Sequence, residues 1–178
     1  MDIFAHGLWT GVAFSTLRRS TKQRFSIRWA VFWGVIPDLF AFTLPFMTII
    51  AAVLFGQADV SEFGRHTESA PHNFPLQALT YTLYNLSHSL VFFALVFACA
   101  YVFRKNVPLE LGGWLLHIIV DIPTHSYDFF PTPFLWPISD FRVDGFSWGS
   151  PIFMTINYSL IAISIAVLYL TRRKQKNL

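Results

Sequence analysis

The stretch Ile152–Leu170, IFMTINYSLIAISIAVLYL, carries no charged residue and is bounded by Pro151 on one side and by Arg172-Arg173-Lys174 on the other. A helix needs about 20 mostly apolar residues to cross the ~30 Å hydrocarbon core of a bilayer. This stretch meets that requirement without interruption. Its composition matches the rest of the chain, in which 54% of the 178 residues are hydrophobic and only 13% are charged. A soluble domain carries roughly 25% charged residues, so much of this surface must face something other than water. The mean hydropathy of +0.48 and the 20 phenylalanines agree with a lipid-facing exterior.

Four further apolar segments flank this one. Thr80–Phe103 resembles it, with His88 in its first half, and Trp29–Phe55 is longer but holds Pro37 and Pro45, which predict a kink or a break. Leu111–Ile122 is short, and Pro123 is expected to close it. Ile3–Leu17 is also short and reads as a tilted or partly inserted helix. The expectation is an all-α polytopic membrane protein of about five helices, with broken or short segments around a polar site. No internal repeat or low-complexity linker divides the chain, so residues 1–178 read as a single integral membrane domain. The lone Cys99 lies in an apolar run; it has no disulfide partner and is expected to be a small buried packing residue.

Charge placement orients the segments. Arg18, Arg19, Lys22, Arg24 and Arg28 follow the first segment, Arg104 and Lys105 the third, and Arg172, Arg173, Lys174 and Lys176 the last. These are eleven of the thirteen basic residues, all on alternate connections. The positive-inside rule makes those connections cytoplasmic, with the N-terminus outside and the C-terminus inside. The other side receives only Arg65 and Arg142 among the basic residues, on outer loops at about 57–79 and 124–150. The second loop is rich in aromatic residues, Phe129, Trp136 and Trp148 among them. The N-terminus lacks the positive charge that precedes the apolar stretch of a cleaved signal peptide. The net charge of +3 is thus explained by membrane topology, and no nucleic-acid partner is expected.

Ionisable side chains inside such segments cost about 2.5–3.5 kcal/mol each on insertion scales and usually have a partner and a purpose. Asp38, His88, His117 and Asp121 are of this kind, and His6 and His125 lie near the outer ends of their segments. The run His117-Ile-Ile-Val-Asp121 places two side chains on one helix face, where both can ligate one ion or the aspartate can orient the imidazole. His125 follows after Pro123, giving His-x3-Asp-x3-His; the plainer reading is a hydrogen-bonded polar helix end. Asp38 follows Pro37 and reads alternatively as a helix cap. Its segment starts inside, so only a re-entrant break at Pro37 is expected to bring it to the others. His88 alone reads as a satisfied core histidine and gains weight from its company. His66 and His72 in the first outer loop read as solvated.

Nitrogen and oxygen donors without thiolate suit zinc best, or manganese or iron, rather than calcium. A closed structural zinc site uses four ligands and often cysteine, so the surplus of candidates favours catalysis. The metal ligands expected are His6, Asp38, His88, His117, Asp121 and His125, with Asp38 or Asp121 accepting the proton of an attacking water.

The ordered set His6, Gly34-Val-Ile-Pro-Asp38, Ser87-His88-Ser89, His117-Ile-Ile-Val-Asp121 with Thr124-His125, and Pro133-Phe-Leu-Trp-Pro137-Ile-Ser139-Asp140 resembles the bacterial membrane-bound metal-dependent hydrolases, a group long catalogued as a domain of unknown function. The resemblance spans about residues 1–150 and implies metal-dependent hydrolysis in the bacterial inner membrane. Phe40 stands where the family often has a second acid after Pro-Asp-Leu, and Leu83-Tyr84 where it often has His-Arg. The His-x3-Asp spacing is also similar to that of secreted zinc phospholipases C.

The depth of the site adds an amphiphilic substrate, such as a lipid or a lipid-linked ester or phosphoester at the outer leaflet. Two other classes compete with this reading. Buried Asp and His also build ion or proton relays, although the absence of a repeat counts against the usual transporter designs. An inactive scaffold would use the same residues only to hold helices together.

Overall fold

The computed structural model describes residues 1–21, 23–57, 76–105, 108–128 and 130–176. Within them lie six α-helices and no strand: α1 (Ile3–Thr21), α2 (Ile27–Leu54), α3 (Gln77–Ser87), α4 (Leu90–Arg104), α5 (Gly112–Thr124) and α6 (Pro151–Lys176). A 3-10 turn, Leu109–Leu111, leads into α5. The candidate loop histidines His66 and His72, with Phe129, fall outside the described residues.

Two helices, Ile27–Leu54 and Pro151–Arg173, are long and apolar enough to cross a membrane. The pair α3 and α4, bent by 57°, makes a third if it is one broken span. The short segments at either end of the polar cluster form α1 and α5, which are not among these candidates; α5, with 13 residues, reaches only about 20 Å. Exposure is inverted relative to a water-soluble protein. Met47, Ile50, Leu95, Val102 and Ile163 are exposed, whereas Thr10, Thr80, Ser89, Thr132 and Asn157 are buried. Such an apolar exterior is expected of a chain whose solvent is lipid.

Four sequence expectations change. Of the kink or break expected at Pro37 and Pro45, the break does not occur: α2 runs unbroken through both, because each proline removes only one backbone bond and packed neighbours support the helix around it. Asp38 is therefore neither a cap nor on a re-entrant turn. It sits about 17 Å along α2 from Ile27, at the level its partners reach from the other side. The segment Thr80–Phe103 does break, between Ser87 and Leu90. There the Ser89 hydroxyl caps α4 by accepting from the amides of Val91 and Phe92 and donates to the Trp136 carbonyl. The Leu90 amide donates to Phe134, so the loop after α5 satisfies the groups that the break exposes. Pro123 does not end α5, which continues to Thr124. Cys99 is exposed on the outer face of α4, since that helix buries only Phe93.

Helices α1, α2 and α5 pack together at glycines. A Cβ on Gly34 would lie 2.3 Å from the Thr10 hydroxyl of α1, and one on Gly113 would lie 2.1 Å from the Ala30 carbonyl. Both approaches are far inside van der Waals contact, so the three axes meet this closely only without those side chains. On the far side of α1, α6 is held by polar contacts along its length: Tyr158 to Asp2 at 2.8 Å, Trp9 to Asn157 at 2.8 Å and Arg19 to Thr171 at 2.9 Å. The loop after α5 folds back on it through the Gly145 and Phe146 amides, which donate to the carbonyls of His125 and Pro123.

Candidate metal centre

Three segments of the fold deliver one residue or more each to a common point. Asp38 comes from the middle of α2, His88 from the break between α3 and α4, and His117 and Asp121 from successive turns of α5. One ligand atom from each lies within 4.8 Å of all the others, and all four residues are buried.

The orientation of the histidines follows from their Nδ1 atoms. The Nδ1 of His117 lies 2.7 Å from the Gly34 carbonyl, which can only accept, so the proton is on Nδ1 and the Nε2 lone pair points inward. The Ser87 hydroxyl donates to the Tyr84 carbonyl, so it accepts from His88 Nδ1 at 2.9 Å; that proton also faces the Tyr84 carbonyl at 3.2 Å. In neutral rings the two Nε2 lone pairs then face each other at 3.0 Å. Asp38 Oδ1 is 3.4 Å from His88 Nε2 and 3.7 Å from His117 Nε2. Asp121 Oδ2 is 3.4 Å and 3.1 Å from the same two atoms and has no hydrogen-bond partner.

Four electron-rich atoms at these separations repel one another unless a cation lies between them. A tetrahedral zinc ion with bonds of about 2.0–2.2 Å sets its ligands about 3.3–3.6 Å apart. The spacings of the two Nε2 atoms from each other and from the two carboxylates, 3.0 to 3.7 Å, bracket that range. A divalent ion would also cancel the two carboxylate charges, which burial otherwise penalises heavily. The buried donor set could therefore hold a metal ion.

His6 and His125 stand on the opposite face of Asp121. Their Nε2 atoms are 2.9 and 3.3 Å from its other oxygen, Oδ1. The Met1 backbone nitrogen shares this space, 2.7 Å from His125 Nε2, and binds the same Oδ1. His125 Nδ1 donates to the Phe130 carbonyl at 3.0 Å. Burial lowers the His125 pKa, which favours the neutral imidazole with its Nε2 lone pair. The ring of His6 stacks on His117 at 3.7 Å. All six residues singled out in the sequence thus converge, with Asp121 between two donor groups.

Tyr84 was not among them. Its ring stacks on His88 at 3.8 Å, its carbonyl faces His88 Nδ1, and its hydroxyl donates to the Phe130 carbonyl at 2.8 Å, the same carbonyl that orients His125. A tyrosine four residues before an intramembrane histidine, one helical turn away, is the signal that could have pointed to it. Gly34 is the other omission, as the carbonyl that fixes His117. Phe40 points away from the cluster and lines an apolar cavity of about 260 Å³ with Trp33, Ile36, Pro37, Ser87 and Trp114. Comparison with protein-family models, with curated proteins and with solved structures returns no match.

Proposed function

We propose that the chain is a metal-dependent hydrolase embedded in the bacterial inner membrane, with its C-terminus cytoplasmic, acting on an ester or phosphoester of a lipid-like substrate at the outer leaflet. The observation that carries this reading is the pair of imidazole lone pairs facing each other at 3.0 Å beside two buried carboxylates. His88, His117 and Asp121 would hold the ion, zinc by preference, leaving a coordination position for water, with Asp38 beside it. When bound, it supplies Lewis acidity and makes water acidic near pH 7.

The remaining chemistry belongs to the protein. Asp121 is wholly buried while Asp38 keeps 7% of its surface exposed, so Asp38 is the carboxylate placed to take the proton of an attacking water. The carbonyls of Gly34 and Tyr84 keep His117 and His88 in the tautomer that presents Nε2. The apolar cavity borders the site at Pro37 and Ser87, each adjacent in sequence to a cluster residue, and supports a substrate with a hydrocarbon tail. The ordered motifs of the resembling family support hydrolysis rather than simple metal storage.

Elemental analysis of the detergent-purified chain tests the proposal together with hydrolysis of fluorogenic phospholipids and esters. About one equivalent of zinc, absent from His117→Ala, and hydrolysis abolished by a chelator are expected. Wild-type protein without metal under these conditions would refute it. A proton relay is favoured by one observation, the unbroken line of contacts from His125 through Asp121 and His117 to Asp38. That reading requires proton flux in liposomes without hydrolysis.

A further inference from the structure

A trough of about 730 Å³ lies between α1, α2 and α6. Its floor is α1, with Gly7 and Gly11 lowering it, and its walls are α2 and α6, represented by Val31 and Ile165. The α1 residues lining it run from Ile3 to Arg19, a length of about 24 Å, comparable to one leaflet and its headgroups. The lining is mostly apolar, with Ser15, Tyr169 and the two arginines Arg19 and Arg172 as its polar residues. Its volume is in the range of specific small-molecule sites, about 300–1,000 Å³.

The basic end is preorganised. Arg19 spends two donors, on the Thr171 hydroxyl at 2.9 Å and the Leu168 carbonyl at 2.8 Å, which fix its guanidinium against α6. A guanidinium has five donors, so three remain. Among the described residues neither arginine lies within ion-pair distance of a carboxylate. A long apolar channel ending in two unneutralised guanidiniums matches an acyl chain ending in a phosphate.

We infer that the trough between α1, α2 and α6 binds one anionic phospholipid of the bilayer, its phosphate held by Arg19 and Arg172 and an acyl chain lying over Gly7 and Gly11. This site is separate from the metal centre, and its test does not depend on catalysis.

Delipidated full-length protein is titrated with phosphatidylglycerol and with phosphatidylcholine of the same acyl chains, and bound lipid is counted by native mass spectrometry. Two juxtamembrane arginines predict about 30-fold tighter binding of the anionic lipid. In Arg19→Gln/Arg172→Gln the preference is expected to fall below about threefold, with phosphatidylcholine, whose choline cation already offsets its phosphate, losing less affinity than phosphatidylglycerol. Arg172→Gln alone breaks no hydrogen bond among the described residues; it is expected to cost about fivefold, which keeps the test valid if the double variant unfolds. A Cβ on Gly11 meets only the Val31 side chain at 3.7 Å, so the first carbon of a side chain is tolerated there, and Gly11→Leu, which projects further into the trough, is expected to abolish binding of both lipids. The inference is overturned by equal binding of the two lipids to wild type, or by a preference that survives both arginine substitutions. It is also overturned if Gly11→Leu leaves lipid binding intact while converting an oligomer to a monomer, which would assign the trough to a second copy of the chain.

Discussion

The Nε2 atoms of His88 and His117 lie 3.0 Å apart, although one sits at a helix break and the other on α5, 29 positions later in the chain. Both Nδ1 atoms are occupied by backbone or hydroxyl partners that fix the tautomer, so the close pair is not a hydrogen bond between neutral rings. The same pair sets the terms on which the metal reading stands or falls.

Metal removal should destabilise the fold as well as end activity, because the ion neutralises two buried carboxylates. With free zinc at 100 times its dissociation constant, bound metal contributes about 2.7 kcal/mol. Thermal unfolding in detergent with chelator, then with zinc restored, measures this. His117→Ala should show no response to zinc.

Asp38→Asn separates ligation from proton transfer. The amide oxygen can still approach the ion, but the side chain no longer accepts a proton. Hydrolysis is expected to fall about 10²- to 10⁴-fold, with metal content close to wild type by elemental analysis. Equal losses of metal and activity would make Asp38 a ligand only.

Gly34→Ala should loosen the centre from a distance. Its Cβ would lie 2.3 Å from the Thr10 hydroxyl, and such overpacking costs about 1–3 kcal/mol. Adding Thr10→Ala removes that hydroxyl and should restore part of the loss. Gly113→Ala meets the Ala30 backbone carbonyl instead, so no side-chain truncation should rescue it. Unfolding midpoints of the singles and doubles decide the matter.

Ser89→Ala removes the cap of α4 and the bond to Trp136 together. A stability loss of about 0.5–2 kcal/mol is expected from the cap, without change in metal stoichiometry. Loss of zinc in this variant would show that the break itself, and not only His88, shapes the centre.

Much of this molecule was legible in the chain alone. The uncharged run Ile152–Leu170 and the inverted balance of apolar and charged residues require a lipid solvent, because no arrangement in water covers that much apolar surface. The i, i+4 spacing of His117 and Asp121 puts them on one helix face whatever else the fold does. What only the tertiary structure decided is where separate segments meet. Pro37 suggested a break, yet α2 continues and Asp38 reaches the cluster by depth along a helix; Ser89 ends a segment that hydropathy read as continuous, because its cap and the loop around Trp136 satisfy the freed backbone. Helix periodicity and transfer energy are local properties of a sequence, whereas the approach of α1, α2 and α5 at Gly34 and Gly113 depends on side chains that are missing, and an absence acquires meaning only when another helix arrives to fill it.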